Sequence, residues 1–210
     1  MIRKILAIGA HPDDVELGCS GMIMRTSLGR IITLTCGESA AASNDDQTRK
    51  ILAGVRAEEA GNGAQTLGAT FQSYFLEDTK IGILDAVAII EKEIEEYQPD
   101  TILTMAKHDT HQDHRAVHEA TIIACRDKPC TLLCYMTPSS ARNFHATWFI
   151  PMTEEEMSIK LNAISCHSSQ LHRLYLSPGY VTGMGRYWAM VTRTTYPYVE
   201  PYQLIQCWEK

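Results

Sequence analysis

The chain has 210 residues, 45% hydrophobic and 21% charged, with a net charge of −6: enough for one α/β domain with a sizeable core, too little for two ordinary ones. No Lys/Arg run or basic stripe offers a footing to a phosphate backbone, which argues against nucleic acid as a partner. Seven cysteines, odd in number and mostly set in apolar runs, fit reduced core residues, and Met1-Ile2-Arg3-Lys4 leads directly into an apolar run with no signal-peptide pattern and no membrane-length stretch; a cytoplasmic protein without a membrane span is expected.

In chain order, Ile5-Leu6-Ala7-Ile8 predicts a buried strand over 4–9, followed by the polar cluster His11-Pro12-Asp13-Asp14. A helix over 15–28 closed by Gly29 and a strand over 30–36 come next. The helix over 47–67 contains Arg56-Ala57-Glu58-Glu59-Ala60, a strongly helical stretch. It also carries Gly54, Gly61 and Gly63, each costing about 1 kcal/mol relative to Ala, so a break or displaced start is expected. A strand over 70–76, a helix over 84–97 stopped by Pro99 and a strand over 101–106 follow. The Glu91 to Glu96 run reads as a solvated helix face. After the second cluster, His111-Gln112-Asp113-His114, come a helix over 113–126, a turn at Asp127-Lys128-Pro129 and a strand over 131–135. In the last third, Trp148-Phe149-Ile150 reads as a strand and Glu154 to Cys166 as a helix capped by Thr153. The rest is aromatic and turn-rich, too short to fold alone, and is expected at the sheet edge or over the site. The alternation predicts an α/β fold, a mostly parallel sheet covered by helices, as a single domain over 1–210.

Both clusters follow a strand, where α/β folds place their chemistry. In a doubly wound sheet of order 3-2-1-4-5 the first and fourth strands are neighbours, so one crevice gathers both. His and carboxylate side chains there suit a catalytic metal, which takes three protein ligands and leaves a position for water. Asp13 and Asp14 are adjacent and cannot point the same way, so one is suited to bind metal beside His11 and the other to act as base. His111 and His114, three apart at a helix start, suit one ligand and one group acting on substrate. The competing reading, that either Asp merely caps a helix, does not explain two such clusters at two neighbouring strand ends. His108, His118 and His145 read as surface or core residues.

Ala10-His11-Pro12-Asp13-Asp14-Val15-Glu16-Leu17-Gly18 with Gly21, followed by His111-x-Asp113-His114, resembles the LmbE-like (PIG-L) superfamily of zinc-dependent deacetylases. Arg56-Ala57-Glu58-Glu59 with Leu67-Gly68, Lys160 to Ala163 with His167-Ser168-Ser169-Gln170, and Gly185-Arg186-Tyr187 with Glu200-Pro201-Tyr202 resemble its lesser motifs. The resemblance implies a Rossmann-like three-layer fold and removal of acetyl from an N-acetylated amino sugar, usually an N-acetylglucosamine conjugate. It implies Zn²⁺ on His11, Asp14 and His114, Asp13 as general base, and His111 stabilising the tetrahedral intermediate or protonating the leaving amine, with Asp113 orienting His111. The family often has Gly-Gly where this chain has Ser20-Gly21, so a relaxed backbone approach is expected there. Proteins similar to it often form trimers or hexamers, which makes a homo-oligomer one expected state beside a small-molecule substrate.

Arg56 is the expected substrate-binding residue, since a guanidinium can hold sugar hydroxyls or a phosphate; the alternative is a solvated helix charge. Arg142, Asn143 and His145 are secondary candidates, and His167 and Gln170 either close the pocket or simply end a helix. Other readings are hydrolysis of a different amide, such as a sugar-thiol conjugate or an acylated antibiotic intermediate, or a metal-binding module without turnover, against which Asp13 and His111 argue. A nucleotide-binding module would need Gly-x-Gly-x-x-Gly where His11 to Glu16 stand.

Overall fold

The computed structural model describes residues 4–40 and 45–208; the reading of Met1 to Arg3 as a direct lead into the first strand lies outside them. The elements are β1 (Lys4–Gly9), α1 (Asp14–Ile23), β2 (Leu28–Thr33), α2 (Asp46–Thr66), β3 (Ala69–Ser73), α3 (Ile83–Tyr97) and β4 (Thr101–Met105). They continue with α4 (Gln112–Cys125), β5 (Thr131–Tyr135), β6 (Trp148–Met152), α5 (Glu154–Ser165), α6 (Pro178–Thr192) and β7 (Tyr198–Gln206). One seven-stranded sheet has the order β3-β2-β1-β4-β5-β7-β6. Its first five strands are parallel in the expected order. Strand β7 lies antiparallel to both β5 and β6. Helices α1 and α2 pack with α5, and α3 packs with α4, giving three layers.

The central strand β1 is fully buried from Ile5 to Ile8, and each such Ile or Leu contributes roughly 1.5–3 kcal/mol relative to exposure. The loops after β1 and β4 therefore spring from the best-anchored part of the sheet. Among the described residues, no helix is long and apolar enough to cross a membrane.

Several expectations are corrected. Helix α1 ends at Ile23, and Gly29 is no helix stop: it lies in β2, opposite Ile5 and Ala69. The cause is local, because the helix already kinks at Cys19 (φ −146°) and Thr26 Oγ1 accepts the Leu28 N–H, turning the chain into the strand. Helix α2 runs unbroken over its 21 residues despite its glycines, with Asp45 accepting from the N–H groups of Gln47 and Thr48. Glu93 departs from the solvated face read for its segment; it is buried, 3.1 Å from Arg30 Nε and hydrogen-bonded by Tyr74 Oη.

The last third holds two regular elements where turns were expected. Helix α6 is rich in glycine and aromatics, which score poorly as helix formers, yet Ser177 caps it and Pro178 occupies its first turn. Strand β7 contains Pro201, which has no N–H to give to a ladder, and the chain continues through it opposite Phe149. Ser20-Gly21 shows no relaxed approach: Gly21 N–H donates to Glu200 at 2.8 Å, and a Cβ there would meet Glu200 and Met152 at 2.8 Å.

Candidate metal centre and active site

The β1–α1 loop carries His11, Asp13 and Asp14. Asp13 stands at the helix start with φ 97°, and its side chain makes no capping bond, so the helix-cap reading of Asp13 does not hold. A non-glycine residue there costs of order 1–3 kcal/mol and persists only where its surroundings hold it. The result is that the two neighbouring carboxylates diverge. Asp14 turns inward, accepting the His11 N–H at 2.8 Å, while Asp13 Oδ2 is buried with no hydrogen-bond partner among the described residues.

The β4–α4 loop supplies the rest. Asp109 accepts the His111 N–H at 2.8 Å. His111 then caps α4 with its own ring, Nδ1 accepting the Asp113 N–H at 3.3 Å. That bond leaves the proton of the neutral ring on Nε2. Burial, then the neighbouring His11 and His114, hold the His111 pKa below its ordinary value.

His11 Nδ1, His114 Nε2 and the Asp14 carboxylate meet at one point. Nδ1 to Nε2 is 3.3 Å, Nδ1 to Asp14 Oδ2 is 3.5 Å, and Nε2 to Asp14 Oδ1 is 3.4 Å. A tetrahedral zinc with ligands at ~2.0–2.1 Å has ligand–ligand edges of about 3.3–3.4 Å, which the Nδ1–Nε2 separation matches, while Asp14 presents a different oxygen to each ring. The other ring nitrogens are engaged by carboxylates: His11 Nε2 lies 3.0 Å from Asp78 and 3.1 Å from Asp113, and His114 Nδ1 lies 2.8 Å from Asp109. Carboxylates at those positions steady the two rings and leave His11 Nδ1 and His114 Nε2 facing each other across 3.3 Å. Burial lowers the His11 pKa, but Asp113, Asp14 and Asp78 outweigh it and raise it well above the ordinary value: the pocket favours positive charge.

Two other groupings bring ligand atoms within 4.8 Å, His11 with His111 and His114, and His11 with Asp78 and Asp113. The first has His111 Nδ1 already accepting a main-chain N–H. The second is one imidazole N–H facing two carboxylates, which is hydrogen bonding. Asp14 adds a carboxylate beside His11 Nδ1 and His114 Nε2.

The Asp113 carboxylate faces His11 and the Thr79 N–H (2.8 Å); what reaches His111 is the main-chain N–H of Asp113. Arg56 is neither solvated nor free. It is 5% exposed, Nη1 and Nη2 donate to the carbonyls of Gly37 and Pro12 at 2.9 Å each, and Nη2 is 3.5 Å from Asp13 Oδ2. Burial pushes Asp13 up to about 6, with Arg56 opposing and Asp14 adding to the rise.

A cavity of about 590 Å³ opens over these groups, walled by Ser39, Ser139, Gln170, Arg173 and Tyr175, within the ~300–1,000 Å³ common for ligand sites. Gln170 thus borders it. His167 lies beneath, fully buried, with Nε2 3.2 Å from Glu16 Oε1. Arg142, Asn143 and His145 are not on its wall. Sequence reasoning missed Asp78 and Asp109; Asp109 stands two residues before His111 and could have been found from that spacing, whereas nothing local marks Asp78.

The sequence matches the PIG-L family, described as GlcNAc-PI de-N-acetylase, over residues 6–125. The uncharacterized deacetylase YaiS of Escherichia coli (strain K12) is 35% identical over 180 residues, 80% of this chain and 91% of that protein. The hydratase GalB of Pseudomonas putida KT2440, a 4-carboxy-2-hydroxymuconate hydratase, superposes with a TM-score of 0.84 at 17% identity, covering 100% of this chain and 98% of that one. The N,N'-diacetylchitobiose deacetylase of Pyrococcus horikoshii gives 0.82 at 18% identity, covering 97% and 84%. At these identities the structural likeness establishes the fold alone, which serves two different reactions in those two proteins.

Proposed function

This chain belongs to the PIG-L family and is a deacetylase of it, and on that premise we propose that residues 1–210 form one domain that acts as a zinc-dependent hydrolase, removing acetyl from an N-acetylated amino sugar of the N-acetylglucosamine type and releasing acetate and a free amine. The observation that carries the reading is the approach of His11 Nδ1, His114 Nε2 and the two Asp14 oxygens to within 3.3–3.5 Å, beside an Asp13 carboxylate whose buried Oδ2 accepts no hydrogen bond among the described residues.

His11, Asp14 and His114 would hold zinc, which when bound would supply a Lewis acid and lower the pKa of water at the site towards roughly 7. Asp13, buried and free of hydrogen bonds at Oδ2, takes the proton of the attacking water. His111 faces the same cavity with its N–H on Nε2, suited to donate a hydrogen bond to the oxyanion of the tetrahedral intermediate, where one such donor contributes about 3 kcal/mol or more; the proton taken up by Asp13 passes to the leaving amine as the C–N bond breaks. Asp113 acts twice, holding His111 through its main-chain N–H and His11 through its carboxylate, and Asp78 and Asp109 steady the outer nitrogens of His11 and His114.

Acetate release tests the reading, measured for N-acetylglucosamine, N,N'-diacetylchitobiose and N-acetylglucosaminides of larger alcohols with protein stripped of metal and reloaded with zinc. Release that requires zinc is expected from at least one of them. No release from any would sink the amino-sugar assignment and turn attention to another amide.

A further inference from the structure

We infer that the substrate carries an uncharged apolar aglycone, a short alkyl or aryl alcohol, and that a second cavity beside the metal centre receives it. For the sugar this rests on the deacetylase reading above; the cavity rests on geometry. It is a space of about 40 Å³ among α1, the end of β5, α5, α6 and β7, walled by Met136, Met157, Tyr180, Val181, Met184 and Trp188. Leu17 and Pro138 belong to its wall and also to that of the larger cavity over His11, Asp13 and Asp14. Both are only partly buried, and the two spaces meet at these side chains.

The join is close to the reacting groups. Leu17 stands one helical turn after Asp13, its N–H donating to the Asp13 carbonyl at 3.0 Å. Thr137, next to Pro138, donates to Asp109 Oδ2 at 2.8 Å, the same oxygen that lies 2.8 Å from His114 Nδ1. An acetyl group has one carbon beyond its carbonyl and ends at the metal centre. The alcohol on the neighbouring ring carbon of the sugar is free to be longer and to cross Leu17.

The lining selects the class of guest. Its two charges are spent on the protein: Lys160 Nζ donates to Glu200 Oε1 at 2.6 Å and to the Leu17 carbonyl at 2.7 Å, and Glu200 Oε2 accepts from the Gly21 N–H and the Tyr202 hydroxyl at 2.8 Å each. A charged guest would lose its water there and gain no free counter-ion. What remains is thioether and aromatic surface, which adapts to an apolar guest. One donor is left over, the buried Trp188 Nε1, with no hydrogen-bond partner among the described residues; it suits an ether or hydroxyl oxygen of the aglycone. At about 10–15 Å³ each, the space holds roughly three water-sized groups.

Acetate release by the zinc-loaded enzyme from the methyl, ethyl, propyl, butyl, hexyl and octyl N-acetylglucosaminides tests size and class together. The kcat/KM is expected to rise about fourfold per methylene, the factor for burying a CH₂, over roughly three successive carbons, and then to level off. A flat series overturns the proposal. So does a gain that follows the acyl chain, measured with N-butyryl beside N-acetyl methyl glucosaminide, because the cavity would then be an acyl site. Met184→Trp fills the cavity from its partly exposed wall and is expected to lower the hexyl-to-methyl ratio of kcat/KM about tenfold; an unchanged ratio counts against the cavity. A second arm needs neither turnover nor a variant. As 1-butanol is added to metal-free protein, the methyl resonances of Met136, Met157 and Met184 are expected to shift well ahead of those of Met22 and Met105 in the core and of Met190, which is exposed on α6. Equal shifts at all six overturn the proposal. A wild-type protein that releases no acetate from any glycoside defeats the deacetylase reading, and the methyl resonances then decide by themselves whether the cavity takes an apolar guest.

Discussion

At the scale of single residues, the site turns on the divergence of two adjacent carboxylates. Asp14 closes the donor triangle and Asp13 does not, because the left-handed backbone at Asp13 sends the two side chains different ways. Asp13→Asn, a side chain that tolerates the same φ, is expected to keep its zinc and lose about 10²–10⁴ in turnover; metal content measured beside acetate release checks it, and loss of the metal would mean that the two aspartates exchange roles. Adjacency alone says that the side chains part, but not which one meets His11. The same limit applies to Asp113. Its place two residues after His111 ties it to that ring, yet only its main-chain N–H goes there, while the carboxylate crosses to His11, 102 positions away in sequence. Asp78 illustrates the remainder: an aspartate in a loop carries no mark of the imidazole that it will face.

At the scale of elements, α2 is the informative case. Its three glycines argue for a weak helix, and one of them is instead a packing device. A Cβ on Gly63 would meet Glu16 Oε1 at 2.7 Å, the Ala163 carbonyl at 3.2 Å and His167 Nε2 at 3.3 Å, whereas Gly54 is exposed with nothing within 4 Å. The two substitutions should therefore act oppositely in thermal unfolding. Gly54→Ala is expected to stabilise by about 0.4–1 kcal/mol, and Gly63→Ala to destabilise by about 1–3 kcal/mol despite its better helix propensity; a Gly63→Ala protein as stable as wild type would remove the close-packing account. Along the same face Arg56, Glu59 and Gly63 turn towards the loops of the site and the end of α5, so α2 buries a polar stripe where an apolar one is usual. The parallel strands were legible because both faces are buried and the runs are continuously apolar. Strand β7 and helix α6 were not, since Pro201 and the glycines of α6 argue locally against structure that the sheet and its second apolar cluster, around Met152, Met157, Leu176 and Tyr198, stabilise from outside.

At the scale of the molecule, β1 and β4 lie side by side where the chain reverses its order across the sheet, and the site depends on that neighbourhood. A metal that binds only the folded arrangement stabilises it by mass action, about 2.7 kcal/mol at a hundredfold excess over Kd. Chelation is therefore expected to lower the Tm by roughly 5–10 °C, recovered on adding zinc; scanning calorimetry giving one Tm with and without zinc would contradict the assigned ligand set. The sequence by itself determined the α/β class, the order of the parallel strands and the two clusters that hold the chemistry, because strand burial, helix caps and metal-ligand residue types act over a few neighbours. Only the tertiary structure decided which nitrogen of His11 and of His114 faces the other ring, which carboxylates face the outer nitrogens, and that Arg56 is buried against the carbonyls of Gly37 and Pro12. Those are contacts between loops tens of residues apart, and their geometry exists only once the sheet has brought the loops together.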